Sequence, residues 1–420
     1  MKTYLHPASI LLPDFSKIDG TKWATVACDQ YTSQKEYWEK AKSLIGDEPS
    51  TLNLMLPEAY LDREDEMIPL INENMRSYLR GVLCEHQHTM IYLEREQSDG
   101  RVRRGIVGCV DLEDYDYTKG SETLIRATEG TVLERIPPRV AIRRGATVEM
   151  PHIMILIDDP EKTVVEPISA KATEYERAYD FELMANSGRV KGYFIDKADF
   201  DGINTALYSL ASRDAMAKKY GVDASPLLFA VGDGNHSLAS AKALYEEIKS
   251  EIGEAAATSH PARFALCEIV NLHDNALEFE PIYRVIFGAD AEEFKKDFTS
   301  YVNSICGGAD CQRVTLVCDS GDSVTEIVHP VSQLAVGTVQ SFLDLYLKKN
   351  PSLSVDYIHG EDTVRELVKK GGAIGILYDG MSKDMLFKTV ICDGSLPRKT
   401  FSMGHAADKR FYIECRKIKG

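Results

Sequence analysis

The chain opens its case through alternating apolar runs and amphipathic stretches. The runs "HTMIYLERE" and "RRGIVGCVDL", rich in β-branched and aromatic residues, flank "QSDGR". An Asp-Gly turn between two such runs predicts a β-hairpin. Upstream, "TSQKEYWEKAKSLIG" has Ser33 three residues before Glu36 and ends in Gly46, the spacing of a capping box and of a C-terminal glycine. A short helix is predicted there. A longer helix is predicted over "REDEMIPLINENMRSYLRGV", kinked or split at Pro69. The unbroken apolar run in "EMPHIMILIDDP" suits a strand buried on both faces.

Strand and helix then alternate. "GYFIDK" is followed by the helical "ADFDGINTALYSLASRDAMAKKYG", by "PLLFAV", and by a helix after GDGNHS with Ala241, Leu244 and Ile248 on one face. The segment "EEIKSEIGEAAATSHPAR" is small, polar and closed by proline, which predicts a boundary near residue 258. Beyond it the pattern restarts. Strands are expected at "RFALCEIVNL", "ALEFEPIYRVI", "RVTLVCD", "AIGILYD", "FKTVIC" and "KRFYIECRKI", with helices at "DAEEFKKDFTSYV" and "GEDTVRELVKKG". The expected class is therefore α/β or α+β with a mixed sheet. Residues 1–258 would form an α/β domain, and residues 259–420 a C-terminal α/β region that either stands alone or completes the first sheet.

Charge narrows the partners. Lys and Arg number 49 against 65 Asp and Glu, a net charge of −16, which repels a phosphate backbone and argues against nucleic acid. No segment approaches the roughly 18 apolar residues that span a bilayer. The first apolar run is broken by Pro7 and Pro13 and lacks the core of a secretory signal, so a cytoplasmic protein is expected. Nine cysteines, several in strand-like runs, fit free thiols in a reducing compartment. Cys306, Cys311 and Cys318 show neither a C-x-x-C pair nor nearby histidines, so no zinc site is read there. Cys28, just before the first helix, is a place where a lowered thiol pKa could arise.

Candidate chemistry concentrates in three stretches. In GDGNHS, residues 232–237, a strand feeds a glycine turn that feeds a helix. Such a corner aims unpaired N–H groups and the positive end of a helix dipole at one point, where phosphate or carboxylate binds. Gly232 and Gly234 let a ligand approach the backbone, Asp233 offers a carboxylate, His236 titrates near neutrality, and Asn235 and Ser237 add polar contacts. A plain tight turn, with Asp233 or Asn235 capping the helix and His236 packed, uses the same residues. The second stretch, "LIRATEGTVLERIPPRVAIRR", is a basic island in an acidic chain. Arg126, Arg139 and Arg143 suit anion contacts, with Thr131 beside them and Glu129 as general base or metal ligand. The third is the loop "DGSLPRKTFSMG", with Lys399 beside Thr400.

Taken in order, "VACDQYTSQKEYW", "RATEGTV", "EMPHIMILIDD", "FAVGDGNHSLASAKA", "ALEFEPIYRVI" and "LPRKTF" resemble the bacterial and archaeal DUF1015 family over nearly the whole chain. Members of that family more often carry D-G-H-H-R at the glycine corner and R-H-E-x-T upstream. Here the corner reads Asp233, Gly234, Asn235, His236, Ser237, the upstream stretch reads Arg126, Ala127, Thr128, Glu129 and Thr131, and Glu129 and Arg139 retain the acid and the arginine of the pattern. Ser237 thus stands in the place of the arginine. The corner motif is also similar to one in the ParB and sulfiredoxin superfamily, which includes free-serine kinases. That resemblance implies a ParB/sulfiredoxin-like core and phosphoryl-transfer chemistry on a nucleotide, with magnesium bridging the phosphates. The function expected is an enzyme acting on a small phosphate-bearing ligand or nucleotide. A non-catalytic anion sensor and a phosphoester hydrolase are the alternatives.

Overall fold

The computed structural model describes residues 2–419. The chain divides into two compact units, Met1–Leu277 with His405–Gly420, and Glu278–Gly404. Both combine helices with a sheet, so the class is mixed α/β.

A nine-stranded sheet forms the first unit's frame. Its order is Glu176–Glu182, Arg189–Phe194, Ile91–Glu96, Val102–Asp111, Phe264–Asn271, Met154–Ile157, Phe229–Asp233, Ile125–Ala127 and Tyr115–Asp116. The predicted hairpin joins Ile91–Glu96 to Val102–Asp111. It closes where the Gln97 amide donates to the Arg101 carbonyl at 2.8 Å. Met154–Ile157 is buried at every position; it runs parallel to Phe264–Asn271 and antiparallel to Phe229–Asp233, which explains its lack of polar alternation. The boundary expected near residue 258 falls inside this unit, and Phe264–Asn271 occupies the middle of the sheet.

Local signals were right about place more often than about detail. Helix Lys35–Ile45 ends at Gly46 (φ 61°), as expected, but Gln34 rather than Ser33 precedes it and no side chain caps it. Pro69 lies inside one continuous helix, Glu64–Gly81, early enough to leave the later turns bonded. The long helix expected after "GYFIDK" is two, Phe200–Leu210 and Arg213–Tyr220, because the Ser212 hydroxyl accepts the Ala215 amide at 3.1 Å and starts a new one. "FKTVIC" lies in helix Lys383–Asp393, where Leu386, Phe387 and Val390 share a buried face; helical burial there overrides the β-branched composition. The final run is two short strands, Phe411–Tyr412 against Thr25–Val26 and Cys415–Lys417 beside Ala8–Pro13.

The second unit is built on an antiparallel sheet ordered Gly321–Ile327, Gln312–Cys318, Ala373–Tyr378, Phe279–Phe287, Ser354–His359. Helices Ala291–Ser304 and Ala335–Lys349 pack together through Phe294, Phe298 and Phe342, whose rings meet edge to face. All nine cysteines are free. Among the described residues no helix is long and apolar enough to cross a membrane.

A buried charge network ties the returning segment into the first unit. Glu268, fully buried, accepts Arg103 Nε at 3.1 Å and Arg410 Nη1 at 3.0 Å. Arg410 Nη2 donates to Glu414 at 2.7 Å, Tyr179 donates to the same carboxylate, and Arg103 Nη1 reaches the Asp408 carbonyl at 3.2 Å. A second cluster binds Glu149 to Arg416 at 2.7 Å and to Arg143. Burial pushes the carboxyls of Glu268 and Glu149 up, yet their arginine partners prevail and hold both below the ordinary 4.5. With the folded pKa depressed, the unfolded chain takes up protons first as pH falls. The first unit's stability is therefore expected to be complete above about pH 5 and to fall steadily below about 4. Urea midpoints measured across that range check this, and a flat profile would contradict it.

Candidate functional site

The glycine corner is built as its pattern suggests. Phe229–Asp233 delivers the chain to Gly234, which adopts φ 78°, and helix Asn235–Ile252 follows. Glycine is required at 234 twice over. Its φ is left-handed, and a Cβ would lie 3.0 Å from Ile153 Cα and 3.2 Å from Ile153 Cγ1. Gly234→Ala is expected to cost roughly 1–3 kcal/mol, read as a lowered urea midpoint without a change in slope.

The corner helix starts without a side-chain cap. Asp233 does not cap it: one carboxylate oxygen accepts its neighbour's amide, Gly234 N, at 2.8 Å, and the other accepts Lys409 Nζ at 3.1 Å. Asn235 does not cap it either. Its amide group bridges sideways, donating to the Val231 carbonyl and accepting the Thr128 amide, each at 3.3 Å. The first amide of the helix bonded back to the chain is that of Leu238, to the Gly234 carbonyl at 3.0 Å. The N–H groups of the first turn are left as donors for something else. The tight-turn alternative, with Asp233 or Asn235 as cap, is therefore not what the chain forms.

Ile125–Ala127 runs parallel to the corner strand, pairing Ala127 with Val231, and so carries the basic stretch alongside. Thr128 Oγ1 donates to the Val231 carbonyl at 2.6 Å and the Val132 amide donates to His236 Nε2 at 3.3 Å. Nε2 is thus an acceptor, which puts the imidazole proton on Nδ1. Burial, Arg139 and Arg135 all push the His236 pKa down, against a smaller opposite pull from Asp29. The ring is neutral at neutral pH and keeps one N–H to donate. Helix Ile136–Gly145, which carries Arg139, packs Ile136 and Val140 onto Ala239 and Leu244 of the corner helix.

The basic residues have separate jobs. Arg126 is buried, donating to the carbonyls of Thr123 at 2.8 Å and Ser225 at 2.8 Å; it ties its strand to the loop before the corner. Arg143 belongs to the Glu149 cluster. Arg139 pairs with Glu58 and donates to the Arg135 carbonyl at 2.9 Å, but its guanidinium field reaches His236. Glu129 is half-buried on the loop between Ile125–Ala127 and the turn Leu133–Arg135. Thr131 is half-buried on the same loop, its hydroxyl enclosed without a partner. Gly232 ends the corner strand beside Asp233. Lys399 lies in the second unit at φ 56°, its carbonyl accepting Arg284 at 2.8 Å.

Three residues of the corner escaped the sequence reading: His152, Lys409 and Tyr412. Ser237 Oγ lies 3.0 Å from His152 Nε2, and His152 Nδ1 lies 2.8 Å from the Tyr412 hydroxyl, which also accepts the Cys28 amide at 3.3 Å. Burial pushes the Asp233 carboxyl up, but Lys409 and then His152 outweigh it and hold it below its usual value. Cys28 is no nucleophile, since burial raises its thiol to about 12. Charge alternation was the available signal. In "KRFYIECRKI", Arg410, Glu414 and Arg416 recur within an apolar run, the signature of buried ion pairs.

Magnesium finds no ready cage at this corner. Among the described residues there is no group of three or more metal-ligating side chains, and Asp233 is already engaged by Lys409 and the Gly234 amide. A cleft of about 850 Å³ opens elsewhere, between Asp116, Arg144 and the Lys242, Glu246, Glu247 and Glu251 side of the corner helix. Carboxylates outnumber cations there, which disfavours an anion.

The family model described as "Protein of unknown function (DUF1015)" matches residues 13–360. The chain belongs to the DUF1015 family. No curated protein matches it. Among solved structures, it is similar to a conserved hypothetical protein from Pyrococcus furiosus, at 10% identity and TM-score 0.34, covering 74% of this chain and 95% of that one. It is also similar to a free serine kinase variant in complex with AMP, at 11% identity and TM-score 0.38, covering 76% and 92%. The same enzyme in complex with ADP gives 10% identity and TM-score 0.38, covering 76% and 93%. These likenesses are loose, so the corner of this DUF1015 member is read from its own geometry.

Proposed function

We propose that the glycine corner binds the phosphate of a small phosphorylated molecule or nucleotide, and that the protein is a phosphotransferase. One observation carries this reading. A helix of 18 residues begins without a cap, its first-turn amides unbonded, beside a neutral histidine and within the field of Arg135 and Arg139. An uncapped helix start of this length is a ready anion site. The first-turn amides and His236 Nδ1–H would hold phosphate oxygens, and Lys409 would offset the charge of Asp233. Glu129 would take the proton from the attacking hydroxyl, a general-base role that typically supplies about 10²–10⁴-fold in rate. Asp233, held ionised by a lysine, is a weaker candidate for that base than the sequence suggested.

A thermal-shift series with ADP or ATP, each with magnesium, and with sugar phosphates tests the reading. Ligand at about a hundred times its Kd should add about 2.7 kcal/mol of stability. Glu129→Gln should keep that shift and lose turnover by about 10²–10⁴-fold. A shift with no product on long incubation would make the protein an anion sensor instead. Product formed without any acceptor alcohol would make it a phosphoester hydrolase. No shift with any phosphate would overturn the reading.

A further inference from the structure

We propose that Ser237 is a covalent nucleophile activated by His152, so that phosphoryl transfer at the corner passes through a phosphoserine. The inference rests on the phosphate-binding reading above and adds a second chemical group to it. Ser237 is the third residue of the corner helix and is half-buried. Its Oγ lies 3.0 Å from Nε2 of a histidine that is only 6% exposed. The imidazole is fixed from its far side, where Nδ1 lies 2.8 Å from the Tyr412 hydroxyl and the two rings meet edge-on at 85°. A nucleophile, a base within hydrogen-bond reach and a third group orienting the base make up the geometry of an activated serine. The uncapped amides of the same helix turn stand where charge on the transferred group would develop.

The bland reading is a buried histidine that simply needs two partners. It accounts for Tyr412, which is itself buried. It does not account for the partner on Nε2 being a hydroxyl at the mouth of an uncapped helix.

The step balances. In the productive tautomer Nδ1–H donates to the Tyr412 oxygen, and the Nε2 lone pair accepts the Ser237 proton. Ser237 Oγ forms a bond to phosphorus while the P–O bond of the leaving group breaks. The proton held on Nε2 passes to the leaving oxygen. In the second half the acceptor hydroxyl gives its proton to Glu129 and forms its own P–O bond. The seryl P–O bond breaks, and Ser237 recovers the proton. The co-reactants are a phosphate ester or anhydride as donor and an alcohol or water as acceptor. Tyr412 acts through His152 and is a positioning residue.

The test treats the full chain with p-nitrophenyl phosphate and, separately, with a fluorophosphonate, followed by intact-mass measurement and peptide mapping. The expected result is one adduct on the peptide holding Ser237, absent in Ser237→Ala. His152→Gln should slow labelling by about 10²–10⁴-fold, and Tyr412→Phe should slow it less while leaving the adduct at the same residue. Ser237→Ala removes one oxygen from a half-buried position and is expected to fold, with a far-UV circular dichroism spectrum like wild type, so it decides the matter even if the His152 variant does not fold. An adduct on another residue, or none in a protein whose melting temperature rises with nucleotide, would overturn the covalent step and leave phosphate binding standing. Absence of both adduct and thermal shift would overturn the two together.

Discussion

Glu268→Ala is expected to destabilise the first unit by about 3–5 kcal/mol, the range for breaking a buried ion pair by removing one partner. Glu268 is the hub at which Arg103 and Arg410 converge, and it has no exposure. Its removal strands the guanidinium of Arg103, 2% exposed, and leaves that of Arg410, 4% exposed, with Glu414 as its one remaining carboxylate. Desolvated charge without a counter-ion is the costly outcome. Glu268→Gln keeps the shape and loses the charge, so it should fall between wild type and alanine. Urea denaturation followed by tryptophan fluorescence measures this well, because Trp23 and Trp38 both lie in the first unit and are buried. A loss under about 1 kcal/mol, the scale of exposed ion pairs, would mean that the cluster is wet rather than sealed.

Arg284→Ala should be comparably damaging to the second unit, at roughly 3–5 kcal/mol. Arg284 has no exposure, and its donors meet oxygens that carry no formal charge. They are the carbonyls of Ile282 at 2.5 Å, Arg398 at 2.9 Å and Lys399 at 2.8 Å, with the Tyr378 hydroxyl at 2.8 Å and Gln340 Oε1 at 3.3 Å. The guanidinium also lies over the Tyr357 ring, 4.9 Å from its centre. Truncation takes this donor from the Arg398 and Lys399 carbonyls and from buried Gln340 Oε1, while the Ile282 carbonyl keeps the Tyr378 hydroxyl. Lysine cannot fork among five oxygens, so Arg284→Lys should recover only a small part of the loss. Hydrogen exchange should register the change as lost protection in Phe279–Phe287 and in the loop holding Lys399. Unchanged protection there would contradict this account.

Legibility in the sequence followed contact range. The Ile91–Asp111 hairpin and the strand, glycine and helix of the corner were readable because turn and periodicity are local. Ala8–Pro13 is a short apolar run with proline at 7 and 13, and its strand character comes from pairing with Leu83–Thr89 and Cys415–Lys417, far along the chain. At the corner, GDGNHS and the 126–144 stretch were found by their chemistry, and their adjacency comes from a strand pairing across about a hundred residues. His152 was hidden in an apolar run, where nothing local distinguishes a packed ring from a relay. Lys409 and Tyr412 reach the corner over separations of 176 and 260 residues. No window along the chain contains such contacts.

Since His405–Gly420 belongs to the same unit as Met1–Leu277, the ribosome must finish the whole of Glu278–Gly404 before Lys409, Arg410 and Tyr412 exist to be placed. During synthesis the nine-stranded sheet waits with Glu268 paired to Arg103 but not to Arg410, and with His152 lacking its tyrosine. A nascent chain that has not yet reached residue 412 therefore lacks a finished corner.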